Sequence, residues 1–311
     1  MRYRIVHTTD YHYEVPVQTA RHLLHLAPRG CPWQHVEAHT LSVVPEPTDL
    51  GDGEDVFGNP MARVELAGPH EHLHVASEVF LRVEPRPWHH DVAPKTPWES
   101  IRDALCYHAE PLTDAFVEAQ RVLFESPGVR VKRELEAYAA PSFAPRRSLI
   151  DATRNLMQRI HHEFRYDPEA TEVGTTVIEV LQNKHGVCQD FAHLMIACLR
   201  SQGLAARYVS GYLRTDPPPG QPRLVGADAS HAWVAVFFPD AGWIEFDPTN
   251  NCLADERHIV LGWGRDFGDV SPIRGVIQGG GEHTLKVAVT VTPLDDEHSE
   301  PGPHAADGRP Q

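Results

Sequence analysis

The sequence predicts an α+β protein: an antiparallel β domain at the N-terminus, then helices, then a further set of strands. Three observations carry this. Leu73, Val75, Ser77, Val79, Leu81 and Val83 alternate with His72, His74, Ala76, Glu78, Phe80 and Arg82, the period of two of a strand with one buried face. Leu149, Ala152, Leu156 and Ile160 recur at helical spacing, and Phe191–Ser201 is an apolar run of helical length. Ala205–Leu213, Ala232–Phe238 and Trp243–Phe246 read as strands, the last two joined by the tight turn Pro239-Asp240-Ala241-Gly242.

The elements follow in order. Ala62–Leu66 alternates like the 72–83 run, and residues 2–7 and 35–44 are weaker versions, separated by turn-rich segments such as Pro45-Glu46-Pro47 and Gly51–Asp55. This β domain is expected over residues 1–90. Pro85-Arg86-Pro87 and Pro94-Lys95-Thr96-Pro97 are stiff and open a helical connector over 91–145. There Thr96 is expected to cap a helix with Pro97 at its first position and Glu99 at N3. Further helices are expected near 114–124 and 131–139. The next unit, 146–293, starts with a helix capped by Ser148 with Asp151 at N3. Thr176 and Glu179 form a second capping box, and that helix is expected to stop at Gly186. Residues 294–311 are rich in Pro, Asp, Glu, Gly and His and are expected to be disordered.

Composition narrows the function. The net charge of −15 disfavours nucleic acid and anionic lipid as partners, both of which require basic patches. No stretch approaches the roughly 18 apolar residues of a membrane span. The first eight residues lack an apolar run and a small-residue cleavage site, so no signal peptide is read and a cytoplasmic location is expected. The five cysteines are unevenly spaced and do not resemble a disulfide framework, which fits a reducing compartment.

One cysteine stands apart. Cys188, in Gly186-Val187-Cys188-Gln189-Asp190-Phe191-Ala192-His193, directly precedes the apolar helix. Free N–H groups and the positive end of the helix dipole favour a thiolate there, so its pKa is expected to fall, and the same N–H groups can hold an oxyanion. The bland alternative is a buried structural cysteine, the reading given to Cys198, inside the same helix, and to Cys31, Cys106 and Cys252. His231 opens an apolar strand with Trp233 on its face, and a thiol nucleophile requires such a base nearby. Asp247 ends the next strand before Pro248. The hairpin brings it beside His231, where a carboxylate orients the imidazole, although an isolated Asp-Pro is also a turn initiator. Asp228 competes for that role from the His231 loop. His72 and His74 share a strand face, but two ligands make no metal site and they read as solvated.

These residues resemble the transglutaminase-like superfamily of papain-fold thiol enzymes. Phe164-Arg165-Tyr166-Asp167-Pro168, Arg207–Tyr212 and Gly264–Phe267 are similar to bacterial transglutaminase-like proteins. Arg21-His22-Leu23-Leu24 and Phe57-Gly58-Asn59 resemble the β-rich domain that accompanies them. The resemblance implies a papain-like core with a helix carrying Cys188 packed on an antiparallel sheet carrying His231 and Asp247. It implies Cys188 as nucleophile, His231 as base and Asp247 as orienting carboxylate. It also makes Tyr166 a candidate for the oxyanion hole, the alternative being packing beside Phe164, and gives Gln189, Asp190, His193 and Trp233 supporting positions. No acidic cluster has the spacing of a calcium loop, so neither a metal nor another cofactor is expected.

The expected activity is thiol-dependent acyl transfer on a glutamine carboxamide or a peptide or isopeptide amide, with a protein or peptide substrate. With water as acceptor the same site is a cysteine peptidase or amidase. A non-catalytic peptide-binding module is the rival from another class, and a metal-binding protein built on the 21 histidines is weaker still. Oligomeric state is not readable.

Overall fold

The computed structural model describes residues 1–89, 95–106, 113–168, 174–215 and 230–294. Its first sheet is built from β1 (Arg2–Leu24), β2 (Gln34–Val44), β3 (Asp49–Glu54) and β4 (Pro60–Val83). β1 and β4 run antiparallel along their length, and β2 and β3 share the far edge of β4. The two alternating runs at 62–66 and 72–83 therefore belong to one strand. The register against β1 shifts between His12 and Val17 and again between Val17 and Thr19. Such bulges bend a long ladder without breaking it.

Among the described residues, α1 (Trp98–Leu105), α2 (Asp114–Arg121), α3 (Arg133–Ala139), α4 (Leu149–Glu163), β5 (Arg165–Tyr166), α5 (Val177–Asn183) and β6 (His185–Gly186) precede the candidate cysteine. Ser148 caps α4 by accepting from the Asp151 N–H, and Thr176 and Glu179 form the reciprocal box of α5. The expected cap at Thr96 does not form. Thr96 and Trp98 instead exchange backbone hydrogen bonds with Leu149 and Arg147, Pro97 precedes the helix, and the Glu99 carboxylate accepts from the Arg146 N–H. Pairing with a distant segment wins over the local cap. α5 also stops earlier than expected, with Lys184 rather than Gly186 in the left-handed conformation (φ 58°). The Lys184 ammonium lies over the Phe164 ring at 4.2 Å, a cation–π contact.

Next comes α6 (Cys188–Ser201), buried from Asp190 through Arg200. It packs on β7 (Ala206–Leu213) and β8 (Ser230–Phe238). With β9 (Gly242–Asp247), β10 (Cys252–Leu253) and β11 (His258–Gly264) these make an antiparallel sheet of order β10-β9-β8-β7-β11. The apolar side chains of α1, α3, α4 and α6 join one buried cluster with Val234, Val236 and Phe238, so the connector helices are part of the core.

The last two strands, β12 (Ile273–Gly279) and β13 (His283–Leu294), depart from the expected boundaries. The sequence assigns residues to 293 to the C-terminal unit, but these strands pair with β1 in the first sheet. β1 is 23 residues long, and without them its outer edge would be an unpaired row of N–H and C=O groups. Gly279, Gly280 and Gly281, all with positive φ, make the turn between them. The two sheets meet in a shared cluster of Tyr3, Ile5, Val79 and Leu81 with Tyr212, Ile259 and Leu261. Asn59 also bridges them, donating to the Trp263 carbonyl and accepting from its N–H. No helix among the described residues is long and apolar enough to cross a membrane. Residues 216–220, Asp228 and residues 295–311 lie outside the described residues.

Candidate active site

Cys188 is the first residue of α6 and is partly exposed. The start of this helix is held by Asp190, whose buried carboxylate accepts from the Val187 N–H at 2.8 Å. Gly186 is required beside it, since a Cβ there would lie 2.8 Å from Asp190 Oδ2. Asp190 thus positions Cys188 from inside the fold. Parallel pairing of β5 with β6 sets Tyr166 across from Gly186, two residues before Cys188. The Tyr166 ring is 53% exposed and edges onto Phe191. Burial and the neighbouring Cys188 push its hydroxyl pKa up. Gln189 is half-buried. His193 lies deeper, its Nε2 accepting from the Phe267 N–H, with burial holding its pKa down at about 4.

His231 is presented by β8, which packs under α6. Its ring hydrogen-bonds the Cys188 thiol. Its Nε2 is 2.8 Å from Asp247 Oδ2, which leaves Nδ1 for the sulfur. The β8–β9 hairpin pairs Val234 with Phe246, and so brings His231 and Asp247 to one end of the sheet. Burial works against a charge on His231, but the Asp247 carboxylate and Cys188 outweigh it and raise its pKa to about 9.

Asp247 is fully buried and fills both of the roles the sequence left open. Its Oδ1 accepts from the Thr249 and Asn250 N–H groups, the turn after Pro248. Its Oδ2 accepts from His231, from Asn250 Nδ2 at 2.6 Å and from His258 Nε2 at 3.2 Å. Burial raises a carboxyl pKa, yet the two histidines hold this one well below the usual carboxylate range. Trp233 is buried, stacks beside His231 with ring centroids 6.0 Å apart, and donates from Nε1 to Glu245 Oε2. The Trp233 ring lies against Gly211, the cross-strand partner of His231, where a Cβ would be 2.6 Å from Trp233 Cη2 and 2.0 Å from the Ile259 carbonyl oxygen.

Two residues of this site escape sequence reasoning. His258 opens β11, is fully buried, and spans Asp247 and Asp255, with Nδ1 3.0 Å from Asp255 Oδ1. A signal existed: like His231, it stands at the head of an apolar run. Arg86, just beyond β4, is buried against Glu245 and donates to the carbonyls of Asp255 and His258. Nothing local marks it out. His231, Asp247 and His258 are also the group among the described residues whose ligand atoms all lie within 4.8 Å, the arrangement a metal requires. Here both imidazoles are turned on one carboxylate oxygen and both pKa values are raised, to about 9 and about 10. Two imidazoles sharing one carboxylate oxygen suit proton transfer.

Elsewhere, Cys198 is fully buried and its thiol is pushed up to about 12 by burial. His72 and His74 are less solvated than expected: both lie against Asp10 Oδ1, at 3.3 and 2.7 Å, because β1 sets Asp10 directly across from His74.

Residues 136–248 match the family described as the transglutaminase-like superfamily, and residues 3–84 match the bacterial transglutaminase-like N-terminal region. An uncharacterized protein of Mycobacterium tuberculosis is 39% identical over 303 residues, spanning 95% of this chain and 94% of that one. The protein-glutamine gamma-glutamyltransferase of Pseudomonas aeruginosa is 29% identical over 190 residues, which is 59% of this chain and 25% of that one. Among solved structures, a candidate cysteine protease from Cytophaga hutchinsonii has a TM-score of 0.71 over 95% of this chain and 92% of that one. At 17% identity that likeness is one of fold.

Proposed function

The chain belongs to the transglutaminase-like superfamily, and from that premise we propose that it is a thiol-dependent acyl-transfer enzyme acting through Cys188, His231 and Asp247. One observation carries this reading: a partly exposed cysteine at a helix start hydrogen-bonds an imidazole that a buried carboxylate grips from its other nitrogen. That is the arrangement a nucleophile, base and orienting group require.

In the proposed reaction the Cys188 sulfur attacks the carbonyl carbon of a glutamine carboxamide or of a peptide or isopeptide amide. Negative charge moves to the carbonyl oxygen, which N–H groups at the start of α6 would stabilise. Tyr166, paired across from Gly186 and within reach of the Cys188 charge, would add its hydroxyl. The C–N bond breaks as His231 gives its proton to the leaving nitrogen, ammonia from glutamine, and a thioester remains. Asp247 keeps the ring oriented and stabilises its protonated form. An amine or water then attacks the thioester, His231 takes the proton from the attacking atom, and the sulfur leaves. Amine as acceptor makes an isopeptide bond and water makes a hydrolase. The exposure of Tyr166 favours water as a competing acceptor, since a wet site hydrolyses its intermediate.

Cysteine alkylation followed by peptide mass spectrometry tests the proposal. Cys106 is exposed and serves as the unactivated reference, and Cys198 is the buried one. Cys188 is expected to react at least tenfold faster than Cys106 near neutral pH, and His231→Ala is expected to abolish the difference. A Cys188 no faster than Cys106 refutes the enzyme reading and favours a peptide-binding module. Ammonia release from glutamine peptides, with and without an added primary amine, then separates the two acceptors.

A further inference from the structure

We infer that His258 is a positioning residue for the reaction, clamping the Asp247 carboxylate from a second strand so that only part of its charge acts on His231. The inference rests on the acyl-transfer reading above and adds a residue to it. Asp247 Oδ2 is shared: His231 Nε2 reaches it from β8 at 2.8 Å and His258 Nε2 from β11 at 3.2 Å. Both Asp247 and His258 are fully buried. An imidazole at such a site would be replaceable by an apolar side chain of similar volume if filling space were its only task.

Polar groups face the His258 ring from several elements. Asp247 faces Nε2 from β9, and in the turn before β11 Nδ1 meets both the Asp255 carboxylate, at 3.0 Å, and the Asp255 N–H, which donates to it at 3.1 Å. Cys252 hydrogen-bonds it from β10. From β8, His231 lies 6.3 Å away and Trp233 5.3 Å away between ring centroids. Arg86 holds the ends of the turn by donating to the Asp255 and His258 carbonyls, and is itself paired with Glu245. Burial opposes the charge, but the hydrogen bonds to Asp247, Asp255 and Cys252 outweigh it, and the ring stays protonated to about pH 10.

The consequence concerns the proton on His231. The His258 Nε2–H satisfies part of the Asp247 charge, and positive charge on that ring opposes a second one nearby, so His231 releases its proton more readily than it would against an unshared carboxylate. Easier release is what the leaving nitrogen requires. Removing His258 leaves His231 as the one imidazole on Asp247 Oδ2, beside the neutral Asn250 amide, and makes that proton harder to give up.

The test is the pH profile of Cys188 alkylation in wild type, His258→Gln and Asp255→Asn, with folding checked by circular dichroism. No substrate is needed. The His231-dependent alkaline limb is expected to move up by about one pH unit in His258→Gln, the scale of losing one charged neighbour. Asp255→Asn leaves the histidine in place but weakens its charge, and is expected to shift the limb less, in the same direction. If folded His258→Gln leaves the limb in place while wild-type Cys188 remains His231-dependent, the clamp is refuted and the enzyme reading stands. If His258→Gln does not fold, Asp255→Asn decides the question by the same limb. If wild-type Cys188 shows no dependence on His231, the enzyme reading falls and takes the clamp with it.

Discussion

Arg86 offers the sharpest test of how the first sheet supports the site. It sits just beyond β4, yet its guanidinium is buried at 0% exposure, 3.4 Å from the equally buried Glu245. Its Nη1 and Nη2 donate to the carbonyls of Asp255 and His258 at 2.5 and 2.7 Å. Arg86→Leu removes one partner of a buried pair and leaves a carboxylate uncompensated, a loss of about 3–5 kcal/mol. Glu245→Leu is expected to lose a similar amount by leaving the guanidinium unpaired and Trp233 Nε1 without its acceptor. The double variant removes both charges of this pair, though the buried Arg207 also loses the Glu245 carboxylate nearby. It is expected to lie well short of the sum, with a coupling of about 2–3 kcal/mol. Urea unfolding followed by both tryptophan fluorescence and far-UV circular dichroism gives each value, and agreement of the two probes licenses the two-state treatment. If the single variants lose under about 1 kcal/mol, or the double is additive within about 0.5 kcal/mol, the buried pair does not anchor the turn.

Two further outcomes follow from the structure. Stability is expected to peak near neutral pH. The raised pKa values of His231 and His258 mean that their contribution is complete below the ordinary histidine value near 6.5 and is lost as pH rises through about 9 and 10. The lowered values of the buried His7 and His193, each about 4, mean that theirs is complete above that same value and is lost as pH falls toward 4. Urea midpoints between pH 4 and 10 check this, and a flat profile contradicts it. Gly211→Ala is expected to lose several kcal/mol or fail to fold, in the manner of an overpacked core. The new methyl would lie 2.0 Å from the Ile259 carbonyl oxygen and press Trp233 toward His231. A soluble variant with wild-type thermal stability would show that the β7–β11 contact is looser than described.

Much of the local structure could be read in advance because it depends on near neighbours. The alternation from His72 to Val83 specifies a strand whose odd residues are buried, and they are. Ser148 with Asp151 and Thr176 with Glu179 cap their helices because each bond closes within three residues. Thr96 shows the limit: an equally good local pattern loses to backbone pairing with Arg147 and Leu149. The meeting of Cys188, His231 and Asp247 was legible because each stands at an end of the apolar helix or of a hairpin strand, so packing helix on sheet brings the ends together.

What the sequence alone determined, then, was the order and period of the elements, their caps, and the chemistry of a thiol, an imidazole and a carboxylate at their ends. Tertiary structure decided the rest. β12 and β13 complete the first sheet because the long edge of β1 requires partners, and that demand is met from about 250 residues away or more. His258 shares Asp247, and Arg86 reaches the turn that holds it, only because a buried charge is tolerable where distant groups neutralise it. No local pattern encodes such a neighbour: sheet edges and buried charges find their partners through the closed fold, whatever their separation along the chain.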